Sequence, residues 1–432
     1  MGRNGRTKAY GKVVGKDASD RPGWKGPGFV KKKPANPPKE KPAKEEEEED
    51  VSELPIPLEL QQVLLNIFKD TFPEVLTSES RQQLLQDVKN ALYERDFARA
   101  FGRQDYLETY SIRWSPSRAL CYQSILVDVS EHLVEIFPLC ASIQLEEEVE
   151  SVKDVTSSTL RAVCFGGGAA EVVAFGGFLK LLHDSVSKES TEEDYLAIPE
   201  GVNGLSVAAQ ITDIEPSKTS TSESDTTITS ATEIQASMAC PGVDLVLVDS
   251  AQWGDVVQKL QHSIISLPSI SKYASAFAKA ANAAMLSGQV IKTTFLAEDV
   301  LTMTALQMRD LFGKTSILLT LLFTLNELYT SSISLTTKFL LNLTMAAKPG
   351  SLLLVVDSPG SYSETKVNGS SKKYPMHWLL DHTLLDTAKA DNKAVWEKLV
   401  SDDSKWFRIP EDLRYPISLE NMRYQIHLYR RL

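Results

Sequence analysis

The stretch 160–183, LRAVCFGGGAAEVVAFGGFLKLLH, constrains this chain most. Its apolar run of strand length at 162–165 empties into three consecutive glycines, Gly166, Gly167 and Gly168. Val172, Val173, Phe175, Leu179 and Leu182 follow at helical spacing and make one apolar face. The pattern predicts strand, tight loop, helix. Glycines suit such a loop because the backbone must turn sharply and let a ligand approach without a Cβ in the way, while free N–H groups at a helix start favour an anionic or polar ligand. A nucleoside is the expected ligand, although glycine clusters also end ordinary strands.

A chain of 432 residues exceeds one compact core, so one large domain with tails or two domains are expected, and 42% apolar residues suffice for a sizeable core. The formal charge of -11 is unevenly divided: residues 1–44 hold 13 Lys or Arg against 3 acids, which leaves the remainder at -21. Cys121, Cys140, Cys164 and Cys240 show no C-x-x-C spacing, which argues against a zinc ribbon or a disulfide framework. No basic start precedes an apolar core, and the longest apolar patch, 317–325, is too short to cross a bilayer. A soluble intracellular protein without a metal is expected.

Residues 1–50 are rich in Lys, Gly and Pro and end in EEEEED, which predicts a disordered arm, basic and then acidic. Its Lys31-Lys32-Lys33 cluster reads as a nuclear address, an RNA-grazing patch or a solvated tail. Residues 54–150 read as a helical region, with Leu60, Val63, Leu64, Ile67 and Phe68 on one face. Within it, Ser115-Pro116 breaks one helix and starts another, and brings Arg113, Trp114 and Arg118 together for a cofactor, a nucleic acid or the core edge. A helix is predicted over 124–137. The Ser/Thr-rich segment 185–240 reads as a low-complexity insertion into a domain spanning 158–432.

Further apolar runs at 243–248, 290–296, 317–325 and 352–356 predict buried strands, each closing on a polar tip. Asp249 ends the first of these, where a Rossmann-like sheet binds ribose hydroxyls, and Trp253 beside it can cover an adenine face. Asp299 can accept from an adenine amino group. Asn326 and Glu327 follow the 317–325 run, and Asp357 ends the last. Ligands in open α/β sheets bind outside such carboxyl ends, so the repetition points to a nucleoside-binding α/β fold. A final strand is predicted around Tyr424, Ile426, Leu428 and Tyr429, and Trp406, Phe407 and Arg408 read either as an RNA-stacking cluster or as a core edge.

Trp114-Ser115-Pro116-Ser117-Arg118-Ala119, Cys164-Phe165-Gly166-Gly167-Gly168-Ala169, Phe323-Thr324-Leu325-Asn326-Glu327-Leu328, Asp357-Ser358-Pro359-Gly360-Ser361-Tyr362 and Glu420-Asn421-Met422-Arg423-Tyr424-Gln425 together carry a further signal. With these motifs the chain resembles the fungal S-adenosylmethionine-dependent methyltransferase family, and within it the branch acting on N(3) of a uridine in large-subunit ribosomal RNA. The resemblance implies a class I, Rossmann-like α/β fold, a mostly parallel seven-stranded sheet with helices on both faces behind an N-terminal helical extension. It implies S-adenosylmethionine at Gly166, Gly167, Gly168, Asp249, Trp253 and Asp299, with Glu171 replacing the acid usually found before the glycine loop. NAD is the rival nucleoside, but the loop does not complete G-x-G-x-x-G. For the reaction, Asn326 would hold a uracil carbonyl, Glu327 or Asp357 would accept the N(3) proton, and Tyr362 would stack on the ring. Arg113, Arg118, Arg408 and Arg423 would contact RNA. The implied partner is ribosomal RNA or a pre-ribosomal particle in the nucleus or nucleolus. The other function class is a non-catalytic ribosome-assembly or RNA-binding factor that keeps the fold.

Overall fold

The computed structural model describes residues 56–143, 159–196, 241–360, 362–367, 370–389 and 393–432, and of 142–143, 188–196 and 362–373 the backbone alone. The basic and acidic arm at 1–50, the acidic connection at 144–150 and most of the 185–240 insertion lie outside the described residues.

Helices come first: α1 Leu58–Thr71, α2 Pro73–Thr77, α3 Arg81–Tyr93, α4 Phe97–Ala100, α5 Gln104–Arg113, α6 Ser115–Asp128 and α7 Ser130–Leu133. Pro116 falls in the first turn of α6, where its missing N–H costs nothing, so the break between α5 and α6 is where the sequence requires it. The helix expected over 124–137 instead ends at Asp128 and resumes briefly as α7, before a 3-10 turn at Pro138–Ile143.

The sheet region follows with β1 Thr159–Phe165, α8 Ala169–Leu196, β2 Gly242–Asp249, α9 Gly254–Ile265, α10 Ala276–Ala280, β3 Ile291–Ala297, α11 Ala305–Phe312 and β4 Leu318–Leu322. It is completed by α12 Leu325–Ser331, α13 Ile333–Ala346, β5 Leu352–Asp357, β6 Tyr362–Val367, β7 Ser370–Pro375, α14 Met376–Asp381, β8 Trp396–Phe407 and β9 Met422–Arg431. The seven-stranded sheet runs β3-β2-β1-β4-β5-β9-β8, with β6 and β7 forming a separate hairpin. Strands β1 to β5 are mutually parallel, and β9 is antiparallel to both β5 and β8. This is the mostly parallel α/β sheet the sequence predicts.

Strand alternation divides the core in two. Ala162 and Cys164 of β1, with Leu245 and Leu247 of β2, face one cluster shared with α1, α6, α8 and α9, through Leu64, Phe68, Tyr122, Phe178 and Leu260. Val163 and Phe165, with Val246 and Val248, face the other, shared with α11 and α13 through Phe312 and Phe339. The N-terminal helices thus form part of one layer of the α/β sandwich, in one compact unit with the sheet among the described residues.

Three differences from the sequence reading have physical causes. The apolar run at 317–325 is a strand only to Leu322, because Phe323 turns the chain at φ 58 and Leu325 already opens α12. Helix α8 continues to Leu196, past the point where the composition turns to low complexity. Strand β8 has no expected counterpart: it is the outer strand, half exposed, with Glu397, Lys398, Asp402 and Asp403 breaking any apolar pattern.

Candidate active site

The glycine loop leaves β1 at Gly166, whose N–H donates to the Val248 carbonyl at 2.7 Å and whose φ is +71. A Cβ there would overlap the Thr324 side chain, so the loop is seated directly against the tip of β4. Gly168 is held as closely: a Cβ would lie 3.0 Å from the Trp253 ring. Contacts within the chain therefore account for these two glycines by themselves. We expect Gly166→Ala to cost about 2 kcal/mol or more, the left-handed backbone and the overlap adding together, as a lowered urea midpoint would record. An unchanged midpoint would mean that the β4 tip yields freely.

The helix start offers less to an anion than expected. The Gly168 N–H donates to Glu171 Oε2 at 2.8 Å, so a carboxylate of the chain itself occupies the first turn of α8. Glu171 is 5% exposed, and burial pushes its carboxyl up to about 7. Asp249, at the end of β2, accepts from the Ala251 N–H at 2.7 Å, and burial raises it to about 6. Asp357 is 3% exposed and spans two strand tips, accepting from the Asn326 N–H at 2.9 Å and the Ser358 N–H at 2.7 Å; burial raises it to about 6. Glu327, on the first turn of α12, is pushed up to about 7 by the same cause.

Among these acids sits Arg118 of α6, its guanidinium donating to the Tyr110 hydroxyl and lying 5.5 Å from the Tyr110 ring centroid and 5.0 Å from that of Phe323. Phe323, with its positive φ, is held in a strained backbone to carry that ring beneath the cation. One arginine does not balance four carboxylates, and a ligand bearing positive charge would offset their desolvation.

Three adjoining cavities open at the carboxyl ends of the strands. The largest, about 700 Å³, is bounded by Phe97, Phe101, Leu107, Asp249, Asp299 and Glu327. A second, about 250 Å³, lies between α3–α6 and α12, with Arg118, Asn326 and Glu327 in its lining. A third, about 70 Å³, is bounded by Gly166, Gly168, Glu171, Asp249, Arg118 and Trp253. Glu327 and Phe101 border all three. Tyr122 also borders the smallest cavity, and its hydroxyl is buried without a hydrogen-bond partner.

A sequence model for SAM-dependent methyltransferases matches residues 68–430. A relative from Saccharomyces cerevisiae, the 25S rRNA (uridine(2843)-N(3))-methyltransferase, is 31% identical over 377 residues, 85% of either chain. The chain belongs to the S-adenosylmethionine-dependent methyltransferase family. Solved structures matched by the chain include a SAM-dependent methyltransferase of Methanosarcina mazei, 10% identical, covering 44% of this chain and 83% of its own at a TM-score of 0.26. An O-methyltransferase family protein of Burkholderia thailandensis is 12% identical, covering 82% of this chain and 70% of its own at a TM-score of 0.29.

The family's cofactor suits the donor set. S-adenosylmethionine carries a sulfonium and an ammonium against one carboxylate, and the site supplies excess buried acid, one guanidinium and an orphaned hydroxyl. Among the expected cofactor residues, Gly166, Gly168, Glu171, Asp249 and Trp253 line the small cavity together. Asp299 borders the large one instead, exposed, accepting from the Leu301 N–H at 2.9 Å. Trp253 is 5% exposed and packs between Gly168, Phe101 and Tyr110, so it does not share the large cavity with Asp299. Gly167 packs against Cys164 and Leu247 and lines none of the three.

Among the expected reaction residues, Asn326 and Glu327 meet in the second cavity, whereas Asp357 stands behind them as a clamp on Asn326. Tyr362 begins β6, and its side chain is outside the described residues. The four arginines separate. Arg118 is inside the site; Arg113 pairs with Glu420 and ties α5 to the segment before β9; Arg408 and Arg423 lie 5.6 and 5.8 Å from the Trp406 ring at the β8–β9 edge. The sequence reading missed Phe97, Phe101, Tyr110 and Tyr122, which reach the site from helices far away in the chain; the aromatic spacing of 97, 101, 110 and 114 was the available signal. Among the described residues, no helix is long and apolar enough to cross a membrane, and no group of three His, Cys, Asp or Glu could hold a metal ion.

Proposed function

We propose that this methyltransferase modifies N(3) of a uridine in large-subunit ribosomal RNA, acting in the nucleus or nucleolus, by direct transfer without a covalent enzyme intermediate. The likeness to the yeast uridine-N(3) enzyme supports the substrate, and one observation carries the mechanism: Glu327, a half-buried carboxyl raised to about 7, lines all three cavities.

S-adenosylmethionine supplies an electrophilic methyl group whose bonding pair stays on sulfur. Glu171 and Asp249 would hold its ammonium and ribose ends, with Tyr122 and Arg118 at its carboxylate and Phe101 and Asp299 along the adenine side. The acceptor nitrogen carries a proton, and a base with a pKa near the working pH removes it most efficiently. Glu327 fills that role. Asn326 donates from its carboxamide to a uracil carbonyl, while its own backbone N–H is fixed by Asp357. A cysteine nucleophile, which carbon-5 methylation of a pyrimidine needs, has no counterpart among the described cavity-lining residues. Cys121, Cys140 and Cys164 are buried, and burial pushes all three thiols up.

The test is mass spectrometry of nucleosides from large-subunit RNA after gene deletion. We expect N(3)-methyluridine to fall, and purified protein to restore it on the extracted RNA. Serine in place of each cysteine should leave turnover intact. Unchanged N(3)-methyluridine would dispose of the substrate assignment, and turnover lost in a Cys→Ser variant that still folds would dispose of the non-covalent scheme.

A further inference from the structure

The second cavity has a composition the cofactor does not call for. Phe97, Phe101, Tyr110 and Trp114 wall it, Asn326, Glu327 and Arg118 line its inner end, and Arg95 and Thr330 stand beside its mouth. The four aromatics come in two pairs spaced four residues apart: Phe97 and Phe101 are nearly parallel, 9° apart with centroids at 6.5 Å, and Tyr110 and Trp114 lie 5.2 Å apart. At about 250 Å³ the space falls below the roughly 300–1,000 Å³ of sites enclosing drug-sized ligands, so it suits something of nucleobase size. Arg95 is exposed, has φ 56, and donates from Nη1 to Thr330 Oγ1 at 3.0 Å, which ties the helical cap to α12 at the entrance. The positive φ belongs to the end of α3, where the Arg95 and Asp96 N–H groups donate to the Leu92 and Ala91 carbonyls at 3.1 and 2.9 Å and leave the guanidinium facing solvent beside the aromatic slot.

We propose that this slot is the acceptor-nucleotide pocket, built by the N-terminal helices, and that it selects uracil by its hydrogen-bonding edge; the assignment rests on the RNA methylation reading above. Uracil presents carbonyl, N–H, carbonyl along that edge. The inner end of the pocket offers the complement: the Asn326 carboxamide as donor, the Glu327 carboxylate as acceptor, and the Arg118 guanidinium as donor. Cytosine, with an unprotonated N(3) between a carbonyl and an amino group, would set its N(3) lone pair against Glu327 and its amino group against a donor. A base in the slot has been taken out of any stack, and Trp114 and Phe97 replace the lost neighbours with aromatic faces. Arg95 then meets the phosphate beside the flipped nucleotide. Glu327 joins this pocket to the cofactor cavities, so the edge that is read is also the edge that reacts.

The test uses full-length protein, labelled S-adenosylmethionine and large-subunit RNA purified from cells lacking the gene. Trp114→Leu and Arg95→Ala touch the second cavity and neither of the others. Each is expected to raise the KM for RNA about tenfold, the scale of one lost base stack or phosphate contact, with cofactor affinity and melting temperature unchanged. Arg95→Ala should also lower the slope of log affinity against log salt by about one. Because Arg95 is exposed, that variant stays informative if Trp114→Leu folds poorly. Wild-type KM and salt slope in Arg95→Ala, with wild-type protein still making N(3)-methyluridine, would overturn the pocket and leave the substrate reading standing. Weakened cofactor binding in both variants would also overturn it, by making the slot part of the cofactor site. Failure of the wild type to make N(3)-methyluridine on this RNA would remove the substrate reading and the pocket with it.

Discussion

Replacing Glu327 with glutamine should lower kcat by about 100- to 10,000-fold, the range that a positioned general base supplies, while cofactor affinity by calorimetry falls much less. The pH dependence gives the sign. Glu327 must be ionised to accept a proton, and burial holds it up to about 7, so kcat/KM for RNA should climb with pH through that region and level off above it. Bound sulfonium charge favours the carboxylate, so the corresponding limb in kcat should lie at lower pH. Glu327→Gln should lack this limb. A variant with wild-type turnover, or an unchanged profile, would remove Glu327 from the chemistry.

The second large effect is expected at Asp249→Ala. Its carboxylate is buried at the β2 tip, and its one assigned bond within the chain is from the Ala251 N–H. Two ribose hydroxyls donating to an ionised group contribute about 1.5–3 kcal/mol each, so removing the carboxylate should weaken S-adenosylmethionine by about 100-fold or more. Asp249→Asn, which keeps an acceptor for Ala251, should fall between the two. Equal affinities in the three proteins would refute the ribose assignment. Asp249 is a cleaner probe than the glycine loop, because a side chain at Gly166 strikes Thr324 whether or not a ligand is present.

What could be read from the sequence follows what each element must satisfy. Strands β1, β2, β4 and β5 are largely buried on both faces, so they appear as near-continuous apolar runs broken only by Arg161, Asp244 and Thr320, and the polar residues closing them mark the ligand side. Asp249 and Glu327 were visible for that reason. Strand β8 sits at the sheet edge with charged residues along it, and nothing in its spacing separates it from a loop. Glu171 stands out as an acid just past the glycine loop, whereas its bond to the Gly168 N–H depends on the turn into α8, which composition does not encode. The aromatic spacing of 97, 101, 110 and 114 hints at a wall but not at what it faces: Phe97 and Asn326 line one cavity through tertiary packing, and no local pattern links residues so far apart.

The position of β9 bears on how the chain is made. It is the last strand in sequence, yet it lies between β5 and β8 and packs against α6 through Tyr424 and Ile426 in the same core as Tyr122. Helices α1 to α6 therefore leave the ribosome with an apolar face whose final cover is still some 300 residues from being translated. At this end of the sheet β8 pairs with β9, so the two join the β5 edge together as an antiparallel pair, and the sheet is completed only when these last strands have been made. Until then the early helices are candidates for chaperone holding.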